Sequence, residues 1–113
     1  MKRHFTVLAM VALLAGSGYQ SVCAQETPIY LLVIKDHRFE PNALQVPANQ
    51  KFKLVVDNQD ATSEEFESPA LKLEKVVAGK QRATLNVGPL QPGSYDFIGE
   101  FHEKTAKGRF VAQ

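Results

Sequence analysis

The sequence predicts an all-β protein, a β-sandwich that follows an N-terminal leader. Short segments in which apolar and polar residues alternate recur along residues 29–112, and a period of two is typical of half-buried strands. Turn-forming Pro, Gly and Asn residues separate these segments at close intervals, as they do in sandwiches. Because no helical period of useful length follows the leader, about seven short strands are expected to build the core.

The first 24 residues are predicted to be a cleavable signal peptide. A positively charged start at residues 2–4 precedes an apolar run over residues 5–18 that is too short to span a bilayer readily. Small residues at 22–24 suit cleavage after the last of them. The alternative is a lipoprotein anchored through Cys23, but the residues just ahead of this cysteine are a poor frame for that processing. We therefore expect residues 25–113 to form one small exported domain.

The predicted mature domain is nearly neutral and contains no sulfur. The chain has 13 basic and 12 acidic residues, and the leader removes two basic ones, so nothing favours binding to nucleic acid or to an anionic membrane. The single cysteine and both methionines also lie in the leader. This composition excludes a disulfide, a thiol nucleophile and a sulfur ligand for a metal in the mature domain.

The first half of the domain contains three predicted strands. Residues 29–34 are an unbroken apolar run, which predicts a strand buried on both faces. Residues 39–42 then form an extended corner, because Pro41 disfavours helix at the residue before it, and a second short strand covers residues 44–46. Residues 51–57 alternate clearly and predict a third strand. The side chains expected to face inward there are Phe52, Leu54 and Val56.

The second half is predicted to add further strands after a polar loop at residues 58–63. Alternation over residues 71–77 and 83–87 predicts two of them. A further strand begins at Tyr95 and leads into a segment rich in ligand-type residues. Residues 109–112 are expected to close the sandwich.

Two acidic segments hold the candidate metal ligands. The residues concerned are Glu64, Glu65 and Glu67 in the first, and Glu100, His102 and Glu103 in the second. Carboxylates with an imidazole suit iron, Mn(II) and Cu(II). A bound cation also offsets the repulsion between carboxylates that lie close together. The simpler interpretation is a solvated acidic face. In a regular strand Glu64 would face away from Glu65 and Glu67, so all three could line one site only in an irregular segment.

Two stretches of the domain resemble cupredoxins. Residues 90–97, Leu-x-Pro-Gly-x-Tyr-x-Phe, are similar to the strand that approaches the copper site of that family. Upstream, residues 39–46 and 52–58 resemble the opening half of the family pattern. The resemblance covers nearly the whole predicted mature chain and implies a Greek-key β-sandwich of the cupredoxin type.

The copper ligands of that family are mostly replaced. The pattern places its cysteine on Gly99, its second histidine on His102, its methionine on Lys107 and its first histidine on Glu64. Since a blue copper site needs a thiolate with two imidazoles, the resemblance excludes a type 1 electron carrier. Lys107 would repel a cation, so we expect it to point outward.

The acidic segments are similar to those of the cupredoxin-like domains that accompany bacterial high-affinity iron permeases, the EfeO and FtrB types. Residues 64–68, Glu-Glu-Phe-Glu-Ser, and residues 99–101, Gly-Glu-Phe, carry this likeness. It implies a periplasmic protein that binds iron and/or copper and delivers or oxidises Fe(II) for an inner-membrane iron permease and other periplasmic uptake components. Metal-dependent oxidation of Fe(II) would be its only catalysis, without catalytic side chains. Dimerisation around a shared metal is left open.

The ligand set implied by the resemblance ranks Glu64 and His102 first. The full set is Glu64, Glu65, Glu67, Glu100 and His102. His37 and Glu40 could form a second, weak site, but a surface loop is the favoured interpretation there. The alternative function is a metal-free β-sandwich that serves as an interaction module of the cell envelope.

Overall fold

In a computed structural model, residues 26–113 form nine β-strands in two sheets, and the predicted all-β sandwich is confirmed. The predicted signal peptide lies outside these described residues. The strands are β1 (Ile29–Lys35), β2 (Arg38–Glu40), β3 (Ala43–Val46), β4 (Phe52–Asn58), β5 (Glu64–Ser68), β6 (Leu73–Val77), β7 (Arg82–Val87), β8 (Gly93–Gly99) and β9 (Lys107–Ala112). Two short 3₁₀ helices, Pro69–Leu71 and Glu100–His102, follow β5 and β8. Neither helix is long and apolar enough to cross a membrane, and the same holds for the rest of residues 26–113.

The strand order gives the Greek-key arrangement of the cupredoxin type. One sheet has the order β2-β1-β4-β7, and the other has the order β3-β9-β8-β5-β6. The pairs β1–β4 and β3–β9 are parallel, whereas the remaining neighbours are antiparallel. The chain passes from the first sheet to the second after β2. Across the core, Phe39 of β2 packs against Phe66 of β5 and Phe97 of β8.

Aromatic rings fill the space between the sheets. Phe97 lies at the centre, with ring centroids 5.0 Å from Phe39, 5.3 Å from Phe66 and 4.9 Å from Phe110. Phe52 contacts Phe110 from the other sheet at 5.8 Å. The predicted inward face of β4 is confirmed, because Phe52, Leu54 and Val56 are almost completely buried. The pairs of Phe97 with Phe39 and of Phe52 with Phe110 are edge-to-face, an arrangement that adds to the stabilisation that burial alone provides.

The prediction that β1 is buried on both faces is wrong. Leu32 and Ile34 are fully buried, but Ile29 is 65% and Leu31 46% exposed. In a sandwich only one face of each sheet packs on the core, and nothing among residues 26–113 covers the outer face of β1 at these positions. An apolar run alone does not distinguish a strand with one exposed apolar face from one covered on both sides.

The first acidic segment is a regular strand. Glu64–Ser68 forms β5, which lies between β8 and β6 in its sheet. Asn58 fixes the loop before it: its Nδ2 donates to the carbonyl oxygens of Thr62 at 2.9 Å and Val77 at 3.0 Å, and its Oδ1 accepts from the Asp60 N–H at 3.1 Å. This buried side chain therefore ties the polar loop to β6 and positions the start of β5 at one end of the sandwich.

Candidate metal centre

Three side chains from separate segments meet at this end of the sandwich. His37 lies in the turn between β1 and β2, Glu64 is the first residue of β5, and His102 ends the second 3₁₀ helix. Each offers one possible ligand atom, and these atoms lie within 4.8 Å of one another. The two imidazole rings are stacked, with centroids 3.7 Å apart and planes inclined by 14°. We call His37, Glu64 and His102 the inner cluster.

The carboxylate of Glu64 is buried, and each of its oxygens has a partner. Its side chain is 2% exposed. Oε1 accepts from the backbone N–H of Phe101 at 2.9 Å and from the N–H of Glu65 at 3.1 Å, while Oε2 contacts Nδ1 of His102. A buried carboxylate is stable only with such partners. Glu64 therefore links β5 to the 3₁₀ helix and holds the imidazole of His102 in place.

The glycine at the family's cysteine position makes room for this carboxylate. A Cβ atom on Gly99 would lie 2.7 Å from Cδ of Glu64 and 2.6 Å from Cβ of Ala106. Contacts under 3.0 Å require these atoms to shift, and both belong to buried residues. Glu64 and Ala106 thus occupy the space beside the position to which the resemblance assigns the thiolate.

His37 is positioned by a tight turn that Asp60 holds from outside. Asp36 and His37 form a two-residue hairpin loop with φ values of 53° and 58°, the left-handed geometry of a type I′ turn. Asp60 accepts from the N–H groups of Asp36 at 2.8 Å and His37 at 3.0 Å. Burial would raise the pKa of Asp60, but the hydrogen bonds from His37 and Asp36 outweigh it and lower this pKa. The carboxylate thus stays charged and clamps the turn.

One ring nitrogen of His37 has no partner. Its Nδ1 is buried and makes no hydrogen bond within residues 26–113, although Oδ2 of Asp60 lies 3.5 Å away. A buried nitrogen with an unmatched lone pair or proton costs free energy, and coordination of a metal is one way to satisfy it. The imidazole of His37 therefore has a nitrogen that is available to a ligand.

His37 is not among the ligands predicted for the main site. Its favoured interpretation, a surface loop, is incomplete, because the side chain is half-exposed yet stacks on His102. Glu40, its suggested partner, is exposed at the end of β2 and belongs to neither group of clustered ligand atoms. The sequence feature that could have identified His37 is its place in a two-residue turn between two strands, at the end of the sandwich where Glu64 also lies.

The remaining predicted ligands form a separate group on the other side of β5. Glu65, Glu67 and Glu100 bring carboxylate oxygens within 4.8 Å of one another, and we call them the outer cluster. Alternation along a regular strand puts Glu65 and Glu67 on the face opposite Glu64. The structure thus divides the five predicted ligands between two places instead of gathering them around His102. Glu103 and Lys107 are exposed, in keeping with their expected orientation.

Crowding of like charges raises the pKa values of carboxyl groups in the outer cluster. The neighbouring carboxyl group of Glu74, together with burial and the proximity of Glu100, raises the pKa of Glu65 to about 7. Burial and the charges of Glu100 and Glu74 raise the pKa of Glu67 as well. Glu74 lies opposite Glu67 on the neighbouring strand β6. Like charges at these positions disfavour the ionised forms.

This shift predicts a pH-dependent stability of the metal-free protein. The pKa of Glu65 is raised above its unfolded value of 4.5, so its favourable contribution to folding is complete below pH 4.5 and is lost as the pH rises through about 7. The facing charges are Glu67, Glu74 and Glu100. Glu65→Gln is expected to remove this loss, so that its melting temperature exceeds the parent's increasingly from pH 4.5 to 8. Thermal melts in the presence of a chelator test this, and Glu40→Gln at an exposed site is the control. Melting temperatures of the parent and Glu65→Gln that change in parallel with pH would contradict the prediction.

Comparisons with known proteins place this geometry in a family. Residues 5–112 match the family model of the cupredoxin-like domain. An uncharacterised protein of Rickettsia prowazekii (strain Madrid E) is 44% identical over 80 residues, which are 71% of this chain and 64% of that protein. The match therefore spans less than two thirds of the relative's length.

Solved structures show the same fold. Auracyanin A, a blue copper protein from Chloroflexus aurantiacus, superposes with a TM-score of 0.65 at 15% identity, covering 78% of this chain and all of auracyanin. The metal-binding domain of the Cu(I)-exporting P-type ATPase CopA of Streptococcus pneumoniae D39, solved with Cu(I), gives 0.64 at 10% identity, with 75% and 84% covered. Both are copper proteins, and at these identities the likeness concerns the fold. With the family match over residues 5–112, these findings establish that the chain belongs to the cupredoxin-like domain family.

Proposed function

We propose that this protein is a periplasmic metal-binding cupredoxin-like protein that holds an iron or copper ion at the inner cluster and serves the uptake of ferrous iron. The observation that carries the proposal is the meeting of His37, Glu64 and His102, from three separate segments, with possible ligand atoms within 4.8 Å of one another. One of the two imidazoles, that of His37, also has a buried nitrogen without a hydrogen-bond partner. Both histidines of the described residues lie at this one place.

The donor set suits an exchangeable ion. Two imidazoles with one carboxylate are ligands for Fe(II) in proteins and also suit Cu(II), whereas a blue copper centre needs a thiolate that residues 26–113 lack. Three protein ligands leave further positions for water or for a ligand from a partner. Without sulfur ligands the ion is held less permanently, which fits a protein that passes its metal on.

The site is also accessible. The side chains of His37 and His102 are 44% and 29% exposed, and both line an open pocket with Phe101 and Thr105. An ion bound there can enter and leave without opening the sandwich. When bound, the metal supplies positive charge that balances the buried Glu64 carboxylate.

The place of this site in iron uptake rests on sequence features. The leader pattern of residues 1–24 supports export to the periplasm. The segments at residues 64–68 and 99–101 resemble those of the EfeO and FtrB types, which supports an inner-membrane iron permease as the receiver of the ion. Cell fractionation tests the first point, and Fe(II) uptake in cells that express the permease with and without this protein tests the second.

Metal titration tests the binding itself. The mature protein is titrated with Cu(II) in air and with Fe(II) under anaerobic conditions, beside His37→Ala and His102→Ala. Each variant is expected to lose at least about 100-fold in affinity, the upper end of what a supporting residue outside the ligand set costs. Asp96→Asn, at an exposed position on β8, should bind as the parent does. A parent that binds neither ion would instead favour the metal-free interaction module.

A further inference from the structure

We infer that the outer cluster is a second, separate cation site, built from the carboxylates of Glu65, Glu67 and Glu100 and selective for hard divalent cations such as Mn(II) or Fe(II). The inference goes beyond the proposed function, because it concerns different residues on the other face of β5. Its ligands come from two elements, the strand β5 and the 3₁₀ helix Glu100–His102.

The geometry of the cluster fits one ion. The three carboxylate oxygens lie within 4.8 Å of one another. Oxygen ligands of a divalent cation lie about 2.0–2.6 Å from it, so two of them can be up to about 5 Å apart. Glu74 stands opposite Glu67 on β6 and adds a fourth carboxylate next to the same place. The sandwich thus brings four acids together where two strands and the 3₁₀ helix meet.

A buried oxygen of Glu65 lacks any partner. The residue is 7% exposed, and its Oε1 makes no hydrogen bond with any group of residues 26–113. In the same part of the chain no lysine, arginine or histidine forms an ion pair with Glu65, Glu67 or Glu100. A buried carboxylate oxygen without donor or counter-charge is costly, and a bound cation provides the missing positive partner.

The ligand type selects the cation. Carboxylates alone suit hard ions, whereas copper and zinc favour sites that include imidazole or sulfur. The inner cluster offers two imidazoles, and the outer cluster offers none. Glu67 is half-buried and Glu100 exposed, so the ion has access from solvent. The two sites share backbone segments, since Glu64 adjoins Glu65, but they share no ligand, and both can be filled at once.

Mn(II) is the probe for this site. The mature protein is titrated with Mn(II), and free aqueous Mn(II) is followed by electron paramagnetic resonance. Glu67→Gln/Glu100→Gln changes two accessible side chains, so it should fold normally, which circular dichroism and thermal melting verify. This double variant is expected to bind Mn(II) at least about tenfold more weakly than the parent and to keep its Cu(II) affinity. His102→Ala should show the reverse, and Asp96→Asn should change neither.

The crossed design separates this inference from the proposed function. Loss of Mn(II) binding in the double variant supports the second site even if Cu(II) and Fe(II) fail to bind at the inner cluster. No Mn(II) binding by the parent at millimolar concentration, or equal binding by parent and double variant, would overturn it. An equal loss of Mn(II) in His102→Ala would also overturn it, because the two clusters would then act as one site.

Discussion

Glu64→Ala is expected to abolish metal binding at the inner cluster and to lower the free energy of unfolding by about 3 kcal/mol. The side chain is 2% exposed, and its removal deprives the N–H of Phe101 of a 2.9 Å hydrogen bond and His102 of its carboxylate partner. It also leaves a cavity beside Gly99. Because domains of this size are stable by only about 5–15 kcal/mol, this is a large effect for one residue.

Glu64→Gln is the matched variant that separates the two roles of this side chain. The amide has the same shape and keeps an oxygen that accepts from Phe101, so most of the stability should remain. It lacks the negative charge and is a poorer metal ligand, so metal affinity should fall nearly as far as in Glu64→Ala. Urea unfolding and Cu(II) titration of the three proteins measure both quantities. Equal destabilisation by the two substitutions, or normal metal binding by Glu64→Ala, would contradict the assignment.

The fold could be predicted from the sequence because its strands alternate where one face packs on the core. Phe52 and Leu54 of β4 illustrate this, since the lysine between them marks the outer face. In β1 the same argument failed at Ile29 and Leu31. Their exposure depends on what packs against the outer face of the sheet, and residue type alone does not carry that information.

The candidate site was only partly accessible to sequence reasoning. Glu64 and His102 follow from the resemblance to cupredoxins, whose ligands fall on these positions. His37 does not, because its placement depends on a turn that Asp60 clamps from 23 residues further along the chain. The separation of Glu65 from Glu64 could be expected from alternation, but only once the segment was known to be a regular strand. Long-range contacts therefore determine those parts of the candidate site that local sequence patterns do not predict.

Gly99→Ala is expected to destabilise the protein by about 1–3 kcal/mol and to displace Glu64 from the inner cluster. The backbone is not the cause, since Gly99 has φ −94° and ψ 106°, which alanine adopts readily. The cause is space: the added Cβ would lie 2.6 Å from Cβ of Ala106 and 2.7 Å from Cδ of Glu64. A shift of the Glu64 carboxylate would break its contact with His102, so Cu(II) affinity should fall together with stability.

Removing the two obstructing groups tests this cause directly. In an Ala106→Gly/Glu64→Ala background both close contacts are absent, so adding Gly99→Ala should cost little of the remaining stability. Comparing the free energy of unfolding with and without Gly99→Ala in the two backgrounds gives the coupling between these positions. An equal cost in both would show that the glycine serves the backbone and not the carboxylate. A coupling of 1 kcal/mol or more would instead mean that position 99 must be glycine because the buried Glu64 occupies the space beside it.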